Sequence, residues 1–241
     1  MADGPKYPNQ QLRSVSLETY FPGRLNVSAV LGQIQESVEE RLPNLYVPNV
    51  IPGEAVALRP VQLRDAPLSR SLAIATNQVT YIAFKYPGFE AFAKEAIPIL
   101  SRSLDTIGPK KLNRVVYRYE NEIGLGRDES GLLPVDQLFP GILPVVFSEG
   151  ARKGRVKTVN SSYEHAWEED GFKGVHGFQA ITEDNLGLTV FKITVFGAVE
   201  DVEIAALQNA TSKAHQIGFD LFDFMISPEF RKFISTSKEE P

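Results

Sequence analysis

Residues 112–123 read L-N-R-V-V-Y-R-Y-E-N-E-I, and the two sides of that stretch differ. Val115, Tyr117 and Tyr119 fall on one side, Arg114, Arg118, Glu120 and Glu122 on the other. Side chains alternate across a strand, so this pattern predicts a strand with one core face and one charged face. Upstream of it, Phe89, Phe92, Ala93, Ala96, Leu100, Leu104 and Ile107 recur at helical spacing. Pro98 inside that helix is expected to kink or split it, and Gly108-Pro109 to stop it. Residues 71–84 read as two strand segments around Thr76-Asn77-Gln78, or as one irregular strand, and a further strand lies near 55–63. Asn-Gln is a weak hairpin pair. Val27, Val30, Leu31, Ile34, Val38 and Leu42 mark a second helix stopped by Pro43. Before it, Val15, Leu17 and Phe21 alternate with Ser14, Ser16 and Glu18 in a first strand.

The order that results is β-α-β-β-α-β. A sheet with both helices on one face satisfies it, because each helix has one apolar stripe to bury, and a ferredoxin-like arrangement is the simplest candidate. Downstream, residues 124–131 and 134–144 form a break with a helical turn near 135–139. Strands then follow near 143–147, 155–163, 175–182 and 188–198, the last two as a hairpin across Glu183-Asp184-Asn185-Leu186-Gly187. Ile204, Leu207, Thr211, Ala214, Gly218, Leu221 and Met225 keep a helical rhythm, with Phe222 widening the stripe. Ser227-Pro228 restarts a short helix carrying Phe230, Phe233 and Ile234. No repeat of fixed period is visible. The fold class expected is therefore α+β: an N-terminal β-α-β-β-α-β unit packed with a C-terminal antiparallel sheet and one long helix. One integrated domain over 1–241 is expected, with a subdivision at 10–130 and 131–235 as the alternative.

Composition narrows the chemistry. The chain has no cysteine, which removes disulfides, thiolate nucleophiles, iron–sulfur clusters and most structural zinc sites. A reducing cytoplasm fits that absence, and neither a leader nor a run of apolar residues long enough to span a membrane is visible. The formal net charge of −5 argues against nucleic acid, whose nonspecific binding rests on phosphate neutralisation. Arg152, Lys153, Arg155 and Lys157 form the densest basic stretch, beside Gly150 and Gly154, and read as a solvated loop.

No G-x-S-x-G elbow, P-loop or H-E-x-x-H spacing occurs. Gly124-Leu125-Gly126-Arg127 resembles a phosphate-binding turn but lacks a third glycine and precedes Asp128-Glu129. The densest polar cluster is residues 163–170, containing Glu164, His165 and Trp167, with His176 a few residues on. A carboxylate beside an imidazole could act as acid and base if the strands at Tyr163 and His176 pair. The plainer alternative is an acidic connection anchored by Trp167. His215 on the long helix reads as a structural histidine. Arg114, Arg118, Glu120 and Glu122 are either a solvated, self-paired face or an open sheet face for a partner protein.

Three segments carry a family resemblance. They are Tyr7-Pro8-Asn9-Gln10-Gln11-Leu12 leading to Phe21-Pro22-Gly23; Tyr86-Pro87-Gly88-Phe89-Glu90-Ala91-Phe92 followed by Arg114-Val115-Val116-Tyr117-Arg118-Tyr119-Glu120-Asn121; and Ala214-His215 through Phe222 to Ile226-Ser227-Pro228. In this order they resemble a sporadically distributed prokaryotic family of proteins of unknown function. Its members begin with N-x-P-L, carry Y-P-x-[WF]-E-x-F and R-I-x-L-R-Y-x-N, and close with a helix bearing L-H. This chain has Gln11 where the family often has Pro, and Ala214 before His215. The resemblance implies a full-length α+β domain, a prokaryotic cytoplasm and an association with mobile or defence genes. It brings no catalytic residue.

A non-enzymatic interaction protein is the leading expectation, as an immunity, antitoxin-like or defence-associated accessory subunit. The alternative is an enzyme or small-ligand binder using Glu164, His165 and His176. No cofactor and no metal are expected. The expected partner is a protein or a second copy of the chain, with nucleic acid disfavoured and no membrane.

Overall fold

The computed structural model describes residues 11–47, 60–125, 133–134, 138–140, 155–156, 160–185 and 188–235. Its first half runs β1 (Leu12–Tyr20), α1 (Val27–Val38), β2 (Asn44–Tyr46), β3 (Val61–Arg64), β4 (Arg70–Ala75), β5 (Gln78–Ala83) and α2 (Phe89–Ile107). The second half runs β6 (Lys111–Leu125), β7 (Leu133–Pro134), β8 (Arg155–Val156), β9 (Asn160–Glu169), β10 (Phe172–Asn185), β11 (Leu188–Glu203), α3 (Leu207–Met225) and α4 (Pro228–Ser235). Nine strands form one antiparallel sheet in the order β2-β3-β4-β5-β1-β6-β11-β10-β9, and β7 pairs only with β8.

The class is α+β, as expected. Within it, β4-β5-β1-β6 take the antiparallel strand order of the expected ferredoxin-like β-α-β-β-α-β unit, and β3 and β2 extend its edge, so that four strands rather than two separate α1 from α2. The count rises by two because residues 71–84 form a hairpin at Thr76-Asn77, where Ala75 pairs with Gln78, and because Asn44–Tyr46 adds β2 at the edge. The hairpin's weak turn sequence is supported from outside: the Phe21 and Arg24 amides donate to the Asn77 and Thr76 carbonyls at 3.0 and 2.8 Å. The C-terminal strands likewise extend the same sheet instead of forming a second one, because β11 pairs with β6 along 14 registered positions.

Topology repeats where sequence period does not. β1 and β6 lie side by side at the centre. Outward from β1 come β5, β4, β3 and β2; outward from β6 come β11, β10 and β9. Each half is a central strand, a connection, an antiparallel meander and a 19-residue helix.

Among the described residues all four helices pack on one face of this sheet. Val15 and Leu17 of β1, Val79 and Tyr81 of β5, and Tyr117 of β6 are buried there beneath Ile34 of α1 and Phe92 of α2. Ala210 and Ala214 of α3 join the same cluster, so both halves share it. A second cluster joins Phe178, Phe191 and Val195 to Phe139, Met225 and Phe230. Pro98 neither splits α2 nor ends it. It is exposed, so the carbonyl one turn back that loses its partner lies toward water. Gly108, at φ +73°, closes that helix by donating to the Leu104 carbonyl. No helix of the described residues is long and apolar enough to cross a membrane. The expected strand at 143–147 lies outside the described residues.

Candidate functional site

Residues 163–169, one alternative for which was an acidic connection, are strand. Tyr163, His165 and Trp167 alternate with Glu164, Ala166 and Glu168 along β9. The turn to β10 is Asp170-Gly171, both at positive φ, 53° and 76°. Asp-Gly suits a two-residue hairpin whose central residues both need positive φ, and it is the sequence signal for this register that the expected strand limits missed. The register pairs His165 with His176, Tyr163 with Phe178 and Trp167 with Gly174. All these side chains therefore face the helices. Glu164 and Glu168 face the other way, so Glu164 and His165 do not form an acid–imidazole pair on one face.

Two glycine contacts shape the space above. A Cβ on Gly197 would lie 2.1 Å from the Ala214 carbonyl oxygen, and one on Gly218 would lie 2.8 Å from the Gly197 nitrogen. α3 therefore lies with its backbone against β11. A Cβ on Gly174 would meet the Ala198 carbonyl oxygen at 1.9 Å and the Trp167 ring at 3.0 Å, so the indole lies close over bare backbone. Between α3 and the outer strands a groove of about 510 Å³ opens. Tyr163, His165, Trp167 and His176 line it from the sheet, and Ile217, Asp220, Leu221 and Phe224 from the helix.

The rings in the groove are ordered. Tyr163 and His165 lie parallel within 7° at 6.4 Å, and His165 and His176 lie 5.4 Å apart. Burial, followed by the neighbouring His165, holds His176 below the ordinary imidazole value, which favours the neutral ring. Lys213 donates to both Glu169 and Asp170 at 2.8 Å. Burial, then Asp223 and Glu169, pushes the Asp220 carboxyl above its usual range. The Trp167 indole nitrogen is buried and finds no hydrogen-bond acceptor among the described residues.

The sheet face away from the helices carries the four charges singled out in the sequence. Arg118 donates to Glu18 through Nε at 2.6 Å, and Tyr20 and Ser16 donate to the same carboxylate at 2.6 and 2.9 Å. Burial pushes Glu18 up, but these donors, Arg118 foremost, hold it below its ordinary value. Arg114 pairs with Glu200 at 2.9 Å, and Ser14 donates to Glu120 at 2.6 Å. Glu122 meets Arg13, and Lys192 approaches it at 3.7 Å. Every one of the four residues has a partner on an adjacent strand. The Arg118 guanidinium also sits 5.4 Å above the Phe196 ring.

The third histidine is elsewhere. His215 stacks on Phe89 at 3.9 Å and 8°, and the Tyr119 hydroxyl bonds its Nδ1. Burial lowers His215 to about 4, so it is neutral near pH 7. It belongs to the core with Tyr117 and Tyr86, whose hydroxyls bond at 3.2 Å. Among the described residues no three of His, Asp and Glu are placed to hold a metal ion. Gly126 and Arg127 lie outside the described residues, as do Arg152, Lys153 and Lys157, while Arg155 is placed in β8 by its backbone. No protein-family model matches this chain, and no curated protein matches its sequence.

Proposed function

We propose that this chain is a binding protein that docks a protein partner on the helix-free face of its sheet, as an immunity, antitoxin-like or defence-associated accessory subunit would. One observation carries this: Arg114, Arg118, Glu120 and Glu122 share that face, each held by a side chain of a neighbouring strand. Charges fixed in advance lose little side-chain freedom when a partner arrives, and a set pattern of both signs favours one partner over others. The same face has no histidine among its described residues, which fits recognition better than turnover. The test is capture from a prokaryotic host extract on immobilised protein. A specific partner should be lost when Arg114→Glu and Lys192→Glu are combined, and kept when His165 and His176 are replaced by Ala. A chain that captures nothing, or a partner indifferent to both charge reversals, refutes the proposal.

A second reading, a small-ligand binder, is supported by His165, Trp167 and His176 lining one groove of about 510 Å³, a volume usual for ligand sites. With Glu164 on the opposite face, binding is better supported there than acid–base catalysis. Replacing His165 and His176 together should then abolish ligand binding while changing stability only slightly.

A further inference from the structure

Charge and ring placement in the groove point to the class of molecule it takes. Tyr163, Trp167, Phe178 and Phe224 give it aromatic walls, and Phe224 is 73% exposed, an unusual place for a large apolar ring. Lys213 is already shared by two carboxylates, Glu169 and Asp170. Asp223, one turn from the groove, is matched by Arg231 at 3.0 Å. Asp220 faces the groove from α3 with no hydrogen bond or ion pair to a described residue. Burial favours the neutral ring of His176. Among the described residues the groove and its rim thus hold more carboxylates than cations, with Glu169, Asp170 and Asp220 set against Lys213 alone.

We infer that this groove binds an organic cation: an ammonium group on a compact aryl or short alkyl body. The inference rests on the ligand-binding reading of the groove given above. Aromatic faces attract a cation, above all one shed of water, and Asp220 supplies its counter-charge. The apolar body fills the space between Ile217, Leu221 and Phe178. An anion would face the Asp220 carboxylate with Lys213 already engaged by Glu169 and Asp170, and a bare metal ion lacks its ligand set among the described residues. Burial, then Asp223 and Glu169, raises the Asp220 carboxyl, and a bound cation beside it would act in the opposite direction.

Trp167 is the only tryptophan of the chain, so its fluorescence reports occupancy of this groove. The full-length protein is titrated at pH 7.5 with benzyltrimethylammonium, benzyl alcohol and benzenesulfonate at matched ionic strength. The cation should perturb Trp167 saturably and bind at least about fivefold more tightly than the other two, an advantage expected of a partly desolvated cation–ring and carboxylate pair. Asp220→Asn should remove that advantage without changing the response to benzyl alcohol, and Phe224→Ala should weaken all binding. If the alcohol or the sulfonate saturates the Trp167 signal as well as the cation does, or if Asp220→Asn binds the cation normally, the cation inference fails and the groove reading stands. If none of the three probes perturbs Trp167, both fail together.

Discussion

The two halves of the sheet solve the same covering problem with opposite proportions. In the first half, β4 and β5 have 6 residues each and span ~20 Å, while α2 has 19 residues and runs ~28 Å. The helix outreaches the strands, and α1 packs beside it, so little of that sheet face is left bare. In the second half, β10 and β11 have 14 and 16 residues and span ~45–55 Å beneath an α3 of the same 19 residues. Here the sheet outreaches the helix. The groove lies beside α3, over β9 and β10, because Gly197 and Gly218 seat that helix on β11, short of the outer strands, so a shared topology yields a closed core on one side and an open site on the other. A site can thus arise from where a helix is seated, without any motif.

The largest expected effect comes from disturbing how α3 sits on the longer half. Gly197→Ala would set a methyl group 2.1 Å from the Ala214 carbonyl oxygen, and backbone cannot move aside as a flexible side chain can. Urea unfolding should show a loss of about 3 kcal/mol or more, the upper range for overpacking a core. Gly108→Ala in the shorter half meets nothing within 4 Å and strains only its φ of +73°, so about 1 kcal/mol is expected there. Equal losses at the two sites would mean that α3 does not lie as close as its glycines indicate.

The seam between the halves is sensitive to pH through His215, which touches Phe89 of α2 and Tyr119 of β6 from α3. Its folded value of about 4 lies below the 6.5 of an unperturbed imidazole. The unfolded chain therefore takes up the proton first, and stability, full above pH 6.5, falls as pH drops toward 4. At 1.36 kcal/mol per unit the loss is on the order of 3 kcal/mol. Glu18, held below its ordinary value, adds its loss only at lower pH. Urea midpoints of the wild type and His215→Phe between pH 4 and 7 separate the two: the variant should lose most of the slope above pH 4.5. An unchanged slope would place the titrating group elsewhere, with His176 next to be replaced.

Much of this fold was legible in the chain, and the parts that were not share a cause. The one-sided pattern of Val115, Tyr117 and Tyr119 against Arg114 and Arg118 is that of β6, and the small-residue stripe through Ala214 and Gly218 is the buried face of α3. What alternation cannot supply is the identity of a neighbour. The hairpin at Thr76-Asn77 depends on amides of Phe21 and Arg24, more than fifty positions earlier in sequence, so local turn chemistry understates it. Register at the site follows from Asp170-Gly171, a local signal, and it separates Glu164 from His165. The groove itself follows from the seating of α3 on β11 through Gly197 and Gly218, a contact between two elements that no single stretch of sequence contains.

The helix-free face gives the smaller effects, and they also divide the halves. Glu18, from the shorter half, is 6% exposed and depends on Arg118 from the longer one. Arg118→Ala leaves that carboxylate buried with only hydroxyl donors, and a loss of about 2 kcal/mol is expected in urea unfolding. Adding Glu18→Gln should recover much of it, because an amide needs no counter-charge; a double variant no better than Arg118→Ala would instead attribute the loss to guanidinium packing on Phe196. Arg114→Ala breaks the pair with Glu200, where both side chains stay about one-third exposed, at 38% and 33%. Water and salt screen that pair, so under about 0.5 kcal/mol is expected. The same Arg114 is nevertheless free of any role inside the core. A partner lost on Arg114→Ala, with unfolding unchanged, would assign that charge to recognition, whereas loss of a partner on Arg118→Ala alone would only repeat the instability of the pair beneath it.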